Sequence, residues 1–168
     1  MKEKLTHEKI IADIRGKKKQ TAIGTACAFI ALMAIAAYIT HRMGAFAMIN
    51  TLSTIFAIAV VVLVVVASKG HTAIIHVRNN DIDVYQDEVV KKLVTNSRKG
   101  TLHYLVFENY QPYKDPGVIV SDIQYDECQL ADAYYIICIK TTITNPYLLV
   151  YPVEKYILDE KLADKIRQ

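Results

Sequence analysis

Charge is missing from two long stretches of this 168-residue sequence, Thr21 to Thr40 and Met43 to Ser68. That absence excludes ordinary soluble elements, because about twenty uncharged, apolar residues is what a helix needs to span a bilayer. "AIAVVVLVVVASKG" (57–70) would read as a buried strand in water. Valine is a poor helix former there, but lipid offers the backbone no hydrogen-bond partner, and a helix satisfies its own groups. The second run is therefore read as a spanning helix over about Ile49 to Ala67. The first, "TAIGTACAFIALMAIAAYIT", is read as another. Only "HRMG" (41–44) separates them, so the expectation is a tight antiparallel hairpin over 21–68. Gly24 with Ala28 and Ala22 with Ala26 place small residues where helices approach closely. A cleaved leader fits poorly, since the first run is too long and a second follows within a few residues.

Motifs of recognisable chemistry are absent too. The chain holds six glycines and no glycine-rich phosphate loop, no serine nucleophile elbow, no Cys-x-x-Cys and no His-Glu-x-x-His; its five histidines are dispersed. Three cysteines, one of them Cys27 inside the first run, argue against a disulfide framework and agree with a reducing cytoplasm; Cys128 and Cys138 would pair only if the domain lay outside. Nucleophilic chemistry would have to pair Cys128 or Cys138 with His103. Cys138 alternates within an apolar strand, and Cys128 follows Asp126 and Glu127, whose charge raises a thiol pKa. No catalytic residue, cofactor or metal is assigned. Asp122, Asp126, Glu127 and Asp132 form an acidic patch without a turn glycine or regular ligand spacing, which is the pattern of a solvated helix face.

The positive charge is concentrated at one end. Residues 1–20 carry seven basic and three acidic residues, a net of +4, whereas residues 69–168 carry twelve basic and fourteen acidic, a net of −2. A nucleic-acid partner would call for basic residues on the folded domain, and none is expected. Basic residues flanking spans stay in the cytoplasm, so both termini are expected on the cytoplasmic side of the plasma membrane. Leu5, Ile10, Ile11 and Ile14 share one face of a short amphipathic segment capped by Thr6. Lys17, Lys18 and Lys19 then meet the anionic inner leaflet.

Residues 69–168 read as a small mainly-β domain. Turn signals recur every ten to fifteen residues between tyrosine-rich and β-branched runs. Strands are expected at 81–95, with a β-bulge near Asp87–Glu88, then at 101–108, "VIVS", 133–143 and 147–153. "NSRKG" supplies a hairpin turn. "SDIQYDECQLAD" (121–132) opens a helical turn or two at Ser121 or Asp122. Leu158, Leu162 and Ile166 predict an amphipathic helix over 157–168. Five strands suit a closed or nearly closed barrel or roll, OB-like, SH3-like or pleckstrin-homology-like.

The order "VVKKLVT", "YLVFE", "VIVSDIQYDECQLADAYYIICIK" resembles bacterial membrane-anchored small β-domain proteins of a domain-of-unknown-function class, over roughly residues 84–143. Where many members have Gly-Asp, this chain has Ala131–Asp132. The resemblance implies a fold and membrane attachment and transfers no activity. The expected function is that of a non-enzymatic integral membrane protein whose cytoplasmic β-domain binds a protein partner or self-associates. Tyr110 and Tyr113, in the proline-interrupted loop "NYQPYKDPG", are the candidate recognition residues. The alternative is a lipid- or small-ligand-handling protein with the domain held at the headgroups.

Overall fold

The computed structural model describes residues 2–40, 45–97, 100–112, 115–140 and 146–167. The "HRMG" loop, Arg98 and Lys99 of the hairpin turn, Tyr113, and the 141–143 end of an expected strand lie outside the described residues. The chain divides into two compact units, Ile11–Ile75 and a second made of Met1–Ile10 with His76–Gln168.

The first unit is formed by two helices, α1 (His7–Thr40) and α2 (Ala45–Arg78), whose ends lie in the other unit. Thr6 caps α1, its Oγ1 accepting from the Lys9 N–H at 3.3 Å. No break separates the basic segment from the apolar run, so Lys17, Lys18 and Lys19 stand on one continuous helix. Within α1, His7–Tyr38 is long and apolar enough to cross a membrane, and none of its most apolar window is buried. Two such helices were expected; among the described residues one qualifies, and the apolar stretch of α2, Ile49–Val62, is shorter.

The second unit is a curled, mostly antiparallel sheet. Its strands are β2 (Ile82–Ser97), β3 (Gly100–Phe107), β4 (Val118–Val120), β5 (Ala133–Ile139) and β6 (Tyr147–Pro152), in the order β4-β3-β2-β5-β6. β2 pairs with β5 over Ile82–Glu88 and with β3 over Val89–Ser97, and the register shifts between Val89 and Lys91. An inserted residue bends a strand and sharpens its twist. One long strand thereby serves both halves of the sheet.

The concave face buries Val89, Leu105, Phe107, Val118, Val120, Cys128, Tyr134, Ile136 and Val150. Because β5 is buried on both faces, "AYYIICI" reads as one continuous apolar run rather than an alternation. Its other face carries Ile137 and Ile139, set opposite Val84 and Ile82.

Two expectations are met only in a coarser form. The described strands do not close a barrel: they form a half-barrel in which β4 and β6 are not paired. A helix, α3 (Asp122–Glu127), bridges them instead. It is capped by Ser121 in a reciprocal capping box with Gln124, it places Tyr125 against the core, and Gln124 Nε2 donates to the Val150 carbonyl of β6 at 3.3 Å.

The C-terminal helix is present but shorter than expected. Residues Tyr156–Leu158 form β7, parallel to β1 (Glu3–Leu5); a single turn, α4 (Glu160–Ala163), follows; Ile166–Arg167 forms β8, parallel to β2. Leu162 is fully buried, so the apolar spacing did mark an anchor. The flanking backbone nonetheless bonds to strands remote in sequence: the Glu3 N–H donates to Lys155 O at 2.9 Å and the Asp159 N–H to Leu5 O at 3.1 Å.

Candidate functional site

Three polar arrangements and one sheet edge stand out on the β unit. The first is organised by Asp87, which is buried where β2 bends. Its carboxylate accepts from the backbone N–H groups of Glu88 (2.9 Å), Asn109 (2.8 Å) and Tyr110 (2.7 Å), and from Asn109 Nδ2 at 3.2 Å. Burial pushes the Asp87 pKa up, but these N–H bonds outweigh it and hold the carboxyl below its ordinary value. A polar hollow of about 200 Å³ opens beside it, lined by Gln86, Asp87, Glu88, Glu108, Asn109 and Ala133.

This clamp decides the setting of Tyr110. The residue is half-buried, its ring 4.9 Å from that of Tyr85 and its hydroxyl near the Cys138 thiol. Burial, first, and that thiol push the phenol well above its ordinary pKa. Tyr110 is thus a packed side chain of the concave face rather than a free loop aromatic.

The second arrangement docks α3. His103 stacks on Tyr125 at 4.5 Å, Lys92 Nζ lies 4.3 Å from the same ring centre, and Lys92 donates to Cys128 O at 2.8 Å. His103 Nδ1 is 3.2 Å from Asp122 Oδ1, an ion-pair distance, without hydrogen-bond alignment. Two of the other expected acidic residues are also engaged: Glu127 with Lys155 at 2.7 Å, and Asp132 with the Gln129 N–H at 2.7 Å. Among the described residues no group of three or more His, Cys, Asp or Glu is placed to hold a metal ion. Burial pushes the Cys128 and Cys138 thiols up, away from the thiolate a nucleophile needs.

The third arrangement is Asp83, buried and paired with Lys140 at 2.9 Å and Arg167 at 2.7 Å. It ties β2 to β8 and to the end of β5. Nothing in the local sequence marks it, since its two partners lie 57 and 84 positions away.

The edge is β6. The Val153 N–H donates to Ala133 O at 2.9 Å, which sets the phase of the β5–β6 ladder. Bonded and non-bonded pairs alternate in an antiparallel ladder, so Tyr147, Leu149 and Tyr151 bond inward to β5 while Leu148 and Val150 aim their backbone groups outward. Val150 O meets Gln124; the Leu148 N–H and C=O and the Val150 N–H meet no partner among the described residues. No charged side chain lies on β6. Natural edges are usually blunted by charge, by a bulge or by cover.

No family model matches the chain, and no curated protein or solved structure matches it either.

Proposed function

We propose that this chain crosses the bilayer twice, keeps both termini in the cytoplasm, and uses its β unit to bind a protein partner or a second copy of itself, without catalysis. The observation that carries the two-crossing topology is the pairing of Glu3–Leu5 with Tyr156–Leu158. Paired strands share one aqueous compartment. If α1 crosses the membrane, the chain has to cross back before β7 is made, and α2, with its uncharged run to Ser68, is the element available. The same pairing argues against a removable leader, because cleavage would strip β1 and the fully buried Leu5 and Ile10 from the β unit. Lys17, Lys18 and Lys19, immediately before the uncharged run, favour retention of that end in the cytoplasm. Lipid phosphates are the groups they would meet there.

Reporter fusions to the full chain test the topology. A reporter active only outside the cell should be silent after Gln168 and active at Arg42; activity after Gln168 overturns the two-crossing, cytoplasmic reading. Partner binding is tested by mild-detergent purification of the tagged chain. A stoichiometric protein, or an untagged copy, is expected; lipid alone refutes it.

A further inference from the structure

The strand at the open edge has an unusual sequence. Residues 146–152 read P-Y-L-L-V-Y-P, which is the same in both directions except that leucine faces valine. The symmetry centre is Leu149, and prolines bound both ends. A palindrome has no bearing on pairing with β5, whose sequence is unrelated. It does matter for pairing with itself, since two antiparallel copies related by a two-fold axis at Leu149 set every residue against its like. Tyr147 meets Tyr151 of the second copy, Leu148 meets Val150, and Leu149 meets Leu149. Apolar and aromatic cross-strand pairs of this kind stabilise a sheet.

The backbone phase agrees with that register. The residues that meet as Leu148 and Val150 are the ones whose N–H and C=O groups point away from β5. Each such pair exchanges two bonds, so the symmetric contact forms four. Three of the four backbone groups that one copy supplies have no partner among the described residues; the fourth, Val150 O, accepts from Gln124 of α3 at 3.3 Å, and that side chain has to swing aside for a second strand to reach the buried Val150 end of the edge. A carbonyl accepts two hydrogen bonds. The absence of charge on β6 removes the usual barrier to such pairing.

We infer that β6 is a self-association edge, and that its occupant is β6 of a second copy of this chain, paired antiparallel about Leu149. A closed two-fold contact of this type uses the same patch on both subunits and stops at a dimer. The inference rests on the reading of the β unit as a protein-binding module and names its partner. Confinement of both copies to one membrane would raise their effective concentration.

The test uses the full chain with two different tags, co-expressed and reconstituted in vesicles, with association read by energy transfer between the tags. Leu148→Pro removes an outward N–H that the fold does not use. Pro152 already occupies the equivalent outward phase of the same strand, so the backbone accommodates proline there, at the cost of the packing that the half-buried Leu148 side chain makes on the core. By symmetry it deletes two of the four bonds. Association should weaken by about tenfold or more, with the tyrosine circular dichroism of the folded state retained and the thermal midpoint lowered by the lost Leu148 packing. A folded Leu148→Pro protein with unchanged association overturns the inference. Should that variant fail to fold, solid-state NMR on mixed wild-type copies, one ¹⁵N-labelled and one ¹³C-labelled, decides. A through-space contact between the Leu148 amide nitrogen and the Val150 carbonyl carbon of the other copy is expected, and its absence refutes the pairing. If the two tags never associate while a different protein co-purifies, the β6 pairing is wrong and the partner-binding reading stands.

Discussion

Replacing Leu5 with alanine tests whether the N-terminal strand is a structural part of the β unit or a decoration on it. Leu5 is fully buried, and it lies in a three-residue strand whose flanks bond to Lys155 and Asp159. Truncation removes three carbons from a packed site held by elements more than 150 positions away in the chain. Leu→Ala changes at such sites cost about 2–5 kcal/mol, the spread reflecting how far the cavity collapses. A short strand near the surface can relax, so about 3 kcal/mol is expected here, a change of roughly a hundredfold in the folding equilibrium. Urea unfolding of the full chain in detergent, followed by tyrosine circular dichroism, measures it. Lys4→Ala, exposed in the same strand, is the control and should stay within about 0.5 kcal/mol of wild type. A Leu5→Ala loss below about 1 kcal/mol would mean that β1 is dispensable. The β1–β7 pairing would then no longer demand an even number of crossings.

Two further outcomes follow from buried backbone and charge. Asp87 has a folded pKa below its unfolded value, so its stabilisation is fully present above about pH 4 and is lost as pH falls through the folded pKa. Asp87→Asn should lower stability at neutral pH by about 1–3 kcal/mol and flatten its dependence at acid pH; an unchanged slope in urea midpoints taken across that range would refute the clamp. Gly117→Ala should lower the thermal midpoint, with a cost of about 1–3 kcal/mol, because the added methyl would sit 2.5 Å from the Leu105 carbonyl oxygen; a neutral result would show that β3 and β4 part easily.

What local patterning could reveal, the sequence revealed. The alternation of Ile82 and Val84, the turn residues between runs, and a helical turn opening at Ser121 or Asp122 are signals among near neighbours, and the strands and α3 appear where those signals lie. The uncharged runs likewise mark helices, since length and missing charge are one-dimensional properties. Leu158, Leu162 and Ile166 show the limit of such reasoning. Their helical spacing is real and Leu162 is buried in a helix, yet the backbone on either side of it pairs with Glu3–Leu5 and Val84–Tyr85, which cuts that helix to the single turn α4 between two short strands. Propensity over a dozen residues is worth too little to resist partners supplied by the rest of the fold. Tyr110 is a similar case: its loop position suggested exposure, but the Asp87 clamp, twenty-three residues away, turns the ring onto Tyr85. The palindrome at 146–152 lies in plain view in the sequence. Only the tertiary structure gives it meaning, because only the sheet order leaves β6 as an edge and only the ladder phase decides which of its backbone groups face outward.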